Sequence, residues 1–230
     1  MPPTATAKSV RHAHEPLVLI VGATGLTGRI VVDRLENADV HIILRKPVAG
    51  FSDHIIQHVA DPAAWPDIIR RQKTDVAISC LGTTWKKSGR SEPAFRAVDH
   101  DLVLAVAAAA KAAGARHFIS ISSVGASAKA SGLYLRTKGK TDAALMAMGF
   151  ARLDILRPGL LIGARSNDPR LGERLGMMIS PLTNLLTPQV FSKYRSISAE
   201  TVATAICRLV RETEEGHFIH ENDAIHALSG

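Results

Sequence analysis

An apolar run, Leu17-Val18-Leu19-Ile20-Val21, passes straight into Gly22-Ala23-Thr24-Gly25-Leu26-Thr27-Gly28 and then into a helical pattern from Arg29 to Leu35. No other stretch limits the fold so tightly. The run suits a strand buried on both faces, and three glycines stand at GxxGxxG spacing where strand becomes helix. The glycines serve three separate ends, namely a tight turn, close approach of backbone to a diphosphate, and close packing of helix on strand. The first amides of the new helix lack intrahelical partners and sit at the positive end of its dipole, which favours an anion. A tight turn without a ligand is the weaker account of this placement.

Strand-like and helix-like segments alternate from Leu17 to about Leu161. Strands are predicted at Leu17–Val21, Val40–Leu44, Ile55–Val59, Asp75–Cys80, His117–Ile121 and Leu153–Leu156, and helices at Thr27–Leu35, Ala63–Gln72, Phe95–Ala113 and Leu133–Met148. Lys111 in a last turn and Gly114 just beyond mark the end of the third helix. Such alternation specifies an α/β fold: a Rossmann-like, doubly wound parallel sheet with right-handed crossovers. Glu200–Arg211 reads as a further amphipathic helix and His217–His220 as a short strand. Residues 165–195, rich in Pro, Asn, Arg and Gly, are expected to form a lid or a small C-terminal wall of the substrate pocket, or else a loop over a sheet edge. Residues 1–15 are expected to be a disordered lead-in, and 16–230 a single domain.

A chain of 230 residues that is 46% hydrophobic buries one good core. Cys80 and Cys207 lie far apart in apolar runs, so they read as reduced core thiols, and no metal-ligand spacing occurs. The net charge of +7 comes in pairs such as Arg45-Lys46, Arg70-Arg71 and Lys86-Lys87, without interleaved aromatics. That pattern fits attraction of phosphorylated cofactors and anionic substrates better than nucleic acid. The apolar helix candidate Leu102–Ala113 is too short to cross a bilayer. A cytoplasmic monomer or homodimer with a small-molecule substrate, no metal and no membrane is the expectation.

An NAD site places an acid at the end of the second strand, roughly 20 residues after the fingerprint, on the ribose hydroxyls. Here that strand ends Leu44-Arg45-Lys46, and the nearby acid, Asp39, begins the strand instead. A guanidinium forks onto a phosphate where a carboxylate repels it. NADP is therefore expected over NAD, with Arg45 on the 2′-phosphate and Lys46 assisting; an ordinary solvated loop cation is the bland alternative. Asp61 has two roles open to it, accepting from an adenine amino group or capping the helix that opens at Pro62. Gly82, after the fourth strand, lets backbone pass beside the cofactor.

Ser122-Ser123 ends the fifth strand, and Tyr134-Leu135-Arg136-Thr137-Lys138 follows on a helix. Tyr134 and Lys138, four apart, share a helix face. A free phenol has a pKa of about 10, and an adjacent ammonium favours its ionised form. Ser123 is placed to hydrogen-bond a substrate oxygen, Tyr134 to pass the proton, and Lys138 to tune it and hold ribose. The set suits hydride exchange between a nicotinamide and a carbonyl or alcohol. Two other readings stay open: an NADP-occupied sensor or regulatory protein without turnover, and an isomerase, epimerase or dehydratase using the same Tyr/Lys pair.

These motifs resemble the short-chain dehydrogenase/reductase superfamily in its atypical branch, closest to Tat-interacting-protein-like oxidoreductases and bacterial NAD(P)-binding relatives. The likeness covers Leu17 to about Arg195. It rests on Gly22–Gly28, Ser79-Cys80-Leu81-Gly82-Thr83-Thr84, Ser122-Ser123-Val124-Gly125-Ala126, Tyr134–Gly139 and Arg157-Pro158-Gly159. It implies cofactor contacts from Gly22, Thr24, Gly25, Leu26, Thr27, Arg45, Gly82, Tyr134 and Lys138, with Pro158 and Gly159 beside the nicotinamide. Many members carry an asparagine relay on the central helix where this chain has Asp99. Ser123 also stands closer to Tyr134 than in many members, which leaves Ser122 as the other substrate-facing hydroxyl.

Overall fold

The computed structural model describes residues 16–35, 38–163 and 195–230. The expected lead-in at 1–15 and all of the expected lid except Arg195 lie outside them. The order is β1 (Leu17–Val21), α1 (Leu26–Arg34), β2 (Asp39–Leu44), β3 (Ile56–Val59), a 3-10 turn (Pro62–Ala64) leading into α2 (Trp65–Arg70), and β4 (Val76–Ser79). Next come α3 (Glu92–Arg96), a π-helical stretch (Ala97–Leu102), α4 (Val103–Ala112), β5 (His117–Ile121), α5 (Leu133–Ala147) and β6 (Arg152–Arg157). β7 (Leu161–Ile162), β8 (Ile197–Ser198), α6 (Ala199–Leu209), β9 (Gly216–Glu221) and α7 (Asn222–Ser229) follow.

Seven strands form one parallel sheet in the order β3-β2-β1-β4-β5-β6-β9. Alternate residues of each strand feed two cores. Val18 and Ile20 face α1 and α6 through Val31, Val202 and Ile206, while Leu19 and Val21 face α4 and α5 through Val106, Ala110 and Leu145. Burial on both sides explains why the central strands read as unbroken apolar runs rather than alternating ones. The chain leaves β1 toward β2 on one side and returns to β4 on the other. The crevice beyond the carboxyl ends of β1 and β4 is thus the switch point where such sheets bind ligands.

Two features depart from the sequence expectation, and one expected strand finds its partner. The helix expected as one piece from Phe95 to Ala113 starts earlier, capped by the Ser91 hydroxyl, and widens into the π-helical stretch before α4. The strand expected at His217–His220 is β9, which joins the main sheet as a seventh parallel strand beside β6. α7 and the β7–β8 pair have no counterpart in the sequence expectation.

Candidate active site at the switch point

Gly22 turns the chain at the end of β1 with φ of +81°, a conformation that strains any side chain. Its carbonyl accepts the Gly25 amide at 2.9 Å. A methyl group on Gly28 would collide with that same carbonyl, so the helix packs this close only because Gly28 has no side chain. No side chain caps α1, and its first turn holds no acid. Thr24 is exposed and Leu26 half-buried along this corner, while Thr27 turns inward. The bare corner, free of a competing carboxylate, fits a diphosphate. Behind it, burial pushes the Cys80 thiol up to about 12, with Cys207 adding to the shift. Both cysteines are free thiols.

Arg45 and Lys46 extend past β2 into solvent, and among the described residues neither makes a hydrogen bond or ion pair. Asp39 sits at the opposite end of β2, paired in register with Leu17. The segment after Arg45 is tied back to α1, because the Arg29 guanidinium lies 4.0 Å from the centre of the Phe51 ring. Asp61 accepts the Ala63 amide at 2.9 Å and caps the turn, one of the two roles the sequence left open.

Gly82 is exposed at the end of the β4 unit. Beneath it lies a buried ion pair, Lys138 Nζ to Asp99 Oδ1 at 2.9 Å, with both side chains all but inaccessible. The other Asp99 oxygen accepts the Thr83 amide at 2.8 Å, and Lys138 also donates to the Ile121 carbonyl at 3.3 Å. Burial works against the Lys138 charge, but Asp99 and then Tyr134 outweigh it and hold the ammonium above the ordinary lysine range. α5 reaches this position because Gly139 lets it press on the backbone of Ser127 and Ala128. Tyr134, one turn before Lys138, keeps 45% of its surface exposed, with its ring centre 5.8 Å from that of Phe95.

Ser122 is buried and Ser123 half-buried, and the Ser123 hydroxyl donates to the Val124 carbonyl at 3.3 Å. Backbone bonds from Ser122 N to Leu156 O and from Val124 N to Pro158 O join the ends of β5 and β6. Pro158 is buried beyond β6, and the Gly159 amide donates to Asn222 Oδ1 at 2.9 Å. The structure therefore gathers Gly82, Asp99 and Lys138 at one point, with Tyr134 one turn along the same helix.

Sequence reasoning missed Asn222, which comes from α7, and the Asp142–Arg157 pair at 2.9 Å that links α5 to β6. Asp142 lies one turn beyond Lys138, and that i,i+4 spacing was the available signal. For Asp142, burial pushes the carboxyl upward, partly offset by Ser122 and Arg157. A separate cavity of about 340 Å³, bounded by Arg116, His117, Arg152 and Glu212, opens at the amino-terminal ends of the strands, away from the glycine corner.

Among the described residues, no helix is long and apolar enough to cross a membrane, and no cluster of three metal-ligating side chains occurs.

A family model described as NAD(P)H-binding matches residues 22–213. Protein FMP52, mitochondrial, of Debaryomyces hansenii is 33% identical over 205 residues, 84% of this chain and 87% of that protein. HTATIP2 of Rattus norvegicus is 36% identical over 166 residues, 69% of this chain and 67% of its own length. Among solved structures, MoeE5 in complex with UDP-glucose and NAD shares the fold at TM-score 0.65 and 16% identity, covering 88% of this chain and 74% of that one. The dTDP-4-dehydrorhamnose reductase of Bacillus anthracis in complex with NADP does so at TM-score 0.63 and 14% identity, covering 91% and 76%. The cytoplasmic expectation is overturned, because the FMP52 relatives in several yeasts are named mitochondrial proteins. The glycine corner, the parallel sheet and these likenesses together make the chain a member of the NAD(P)H-binding family, in the atypical short-chain dehydrogenase/reductase group to which HTATIP2 belongs.

Proposed function

We propose that this chain is an NADP-dependent oxidoreductase that interconverts a small carbonyl compound and its alcohol. One observation carries the reading: a buried, charged Lys138 sits beneath the open Gly82 backbone, one turn from a phenol left half in solvent. A buried ammonium is costly unless it is paired, and an exposed aromatic at the mouth of a switch-point crevice is a surface available to a ligand.

In this reading the diphosphate rests on Gly22, Thr24, Gly25, Leu26, Thr27 and Gly28. Arg45 and Lys46 take the 2′-phosphate, and the Asp61 oxygen not used in capping faces the adenine amino group. Gly82, Pro158 and Gly159 border the nicotinamide. A bound nicotinamide supplies or accepts the hydride. Tyr134 exchanges the proton with the substrate oxygen, Ser123 or its neighbour Ser122 orients that oxygen, and Lys138 holds ribose and tunes the phenol. We assign the chain to mitochondria, the compartment carried in the names of its yeast relatives.

The test titrates purified protein with NADPH and NADH and screens a carbonyl panel beside Tyr134→Phe. Turnover that is lost in the variant while NADPH binding persists supports the assignment. Tight binding with no turnover on any carbonyl overturns it in favour of a nucleotide-occupied sensor. Substrate conversion without net consumption of NADPH overturns it in favour of an epimerase or isomerase.

A further inference from the structure

The turn between Gly82 and α3 carries charge that the fold does not use. Lys86, Lys87 and Arg90 are exposed there, and among the described residues none of their side chains makes a hydrogen bond or ion pair. The single acid between Gly82 and Phe95 is Glu92, which pairs with none of them. Arg96, further along α3, is by contrast matched with Asp101 at 3.3 Å. The turn is closed by its own backbone. The Thr84 carbonyl accepts the Ser88 amide at 3.0 Å, and the Trp85 carbonyl accepts the Arg90 amide and the Ser88 hydroxyl, each at 2.9 Å. Arg90 holds φ of +58°, and among the described residues no other non-glycine residue has positive φ. Glycine takes that conformation without strain, so an arginine there costs backbone energy, and such strain collects at ligand sites.

Both ends of the turn are fixed at the crevice. Thr83 donates its amide to Asp99 beside Lys138. Two chain links separate Thr83 from Trp85, so their backbones lie within about 8 Å of each other. At the other end the Ser91 hydroxyl caps α3, and the α3 residue Phe95 packs its ring against Tyr134. Trp85 and Tyr134 each keep 45% of their surface exposed, and they are the two aromatic groups among the large apolar side chains left exposed in the described residues. A half-bare indole, a half-bare phenol and three unpaired cations therefore border one opening.

We propose that the turn 84–90 is a subsite for the anionic end of the substrate, a carbonyl compound that bears an oxyanion, carboxylate or phosphate, on a flat apolar body. This rests on the oxidoreductase reading and names its substrate class. Lys86, Lys87 and Arg90 draw the oxyanion. Trp85 covers the apolar body, and the carbonyl end is left toward Tyr134. A neutral compound of the same shape gains the apolar contact alone.

Calorimetry measures the binding of 2-naphthoate, 2-naphthyl phosphate and neutral 2-naphthamide in excess NADP, which keeps the probes off the nucleotide cradle. At least one anion should bind about tenfold or more tighter than the amide, and the tighter of the two names the oxyanion. Added salt should shrink the difference. In Lys86→Gln/Lys87→Gln/Arg90→Gln it should fall to about twofold, while Trp85→Ala should weaken all three probes alike. Arg71→Gln/Lys73→Gln removes two exposed cations from the turn before β4, at the opposite end of the sheet. It should leave the difference unchanged, which separates a local subsite from net charge. Should the triple variant fail to fold, Arg90→Gly, which relieves the backbone and removes one cation, should lose part of the difference. Equal binding of anions and amide, no binding of any probe, or a preference that survives loss of these cations overturns the proposal. Anion preference without turnover anywhere in the carbonyl panel sinks the oxidoreductase reading and leaves the subsite. Turnover of 4-carboxybenzaldehyde and its carboxamide at equal kcat/KM sinks the subsite and leaves that reading.

Discussion

Asn222 joins the two chain segments that flank residues 164–194. Its side-chain oxygen accepts the Gly159 amide at 2.9 Å, and its amide nitrogen donates to the Arg195 carbonyl at 3.3 Å. The residue is 1% exposed, so water cannot replace either bond. Asn222→Ala should lower stability by about 1–3 kcal/mol, the usual cost of leaving buried polar groups unpaired. Denaturant unfolding checks this, and an unchanged midpoint would refute it.

Arg45 tests the choice of nucleotide. A charge-assisted hydrogen bond is worth about 1.5–3 kcal/mol. Arg45→Ala should therefore raise the Kd for NADPH roughly tenfold to a hundredfold and leave that for NADH within about twofold. Fluorescence titration measures both, and equal weakening of the two would defeat the 2′-phosphate assignment.

Asp154 anchors a buried cluster far from the switch point. Burial alone would raise its carboxyl, but hydrogen bonds from His117, His220 and Arg152 override burial and hold it well below the usual carboxylate range. His117 Nε2 and His220 Nε2 each lie 2.6 Å from its oxygens, and Arg152 binds both oxygens. Because the folded value is depressed, the stabilisation is fully present above the unfolded carboxylate value of about 3.9 and fades as pH falls below it. Asp154→Asn should cost about 3–5 kcal/mol at pH near 7, since Arg152 is left as an unpaired buried cation. Thermal unfolding at descending pH should show the gap to the parent narrowing only below roughly pH 4; a gap that is constant throughout would contradict the account.

The first β–α corner was legible because its signal is local: a strand, three glycines and a helix between Leu17 and Arg34. β5 and β6 were legible for the same reason. Asp99 was visible as a residue, but its function was not, because helical periodicity does not reveal that the turn around it is π-wide or that its carboxylate points at Lys138. Asn222 was invisible because its partners, Gly159 and Arg195, are joined to it only by the fold. Asp61 carried two plausible uses, and the cap emerged once the Ala63 amide was located. β9 read as a strand, yet a parallel partner so distant in sequence leaves no short-range mark.

β9 completes the sheet against β6, and Asn222 follows it directly. During synthesis, the glycine corner emerges well before the β6–β9 edge, whereas the clasp on Gly159 cannot close until residue 222 has left the ribosome. Chains that fold from the amino terminus as they are made thus form the glycine corner before Gly159 gains its partner. A chain cut short before β9 leaves the flank of β6 open to pairing with another molecule.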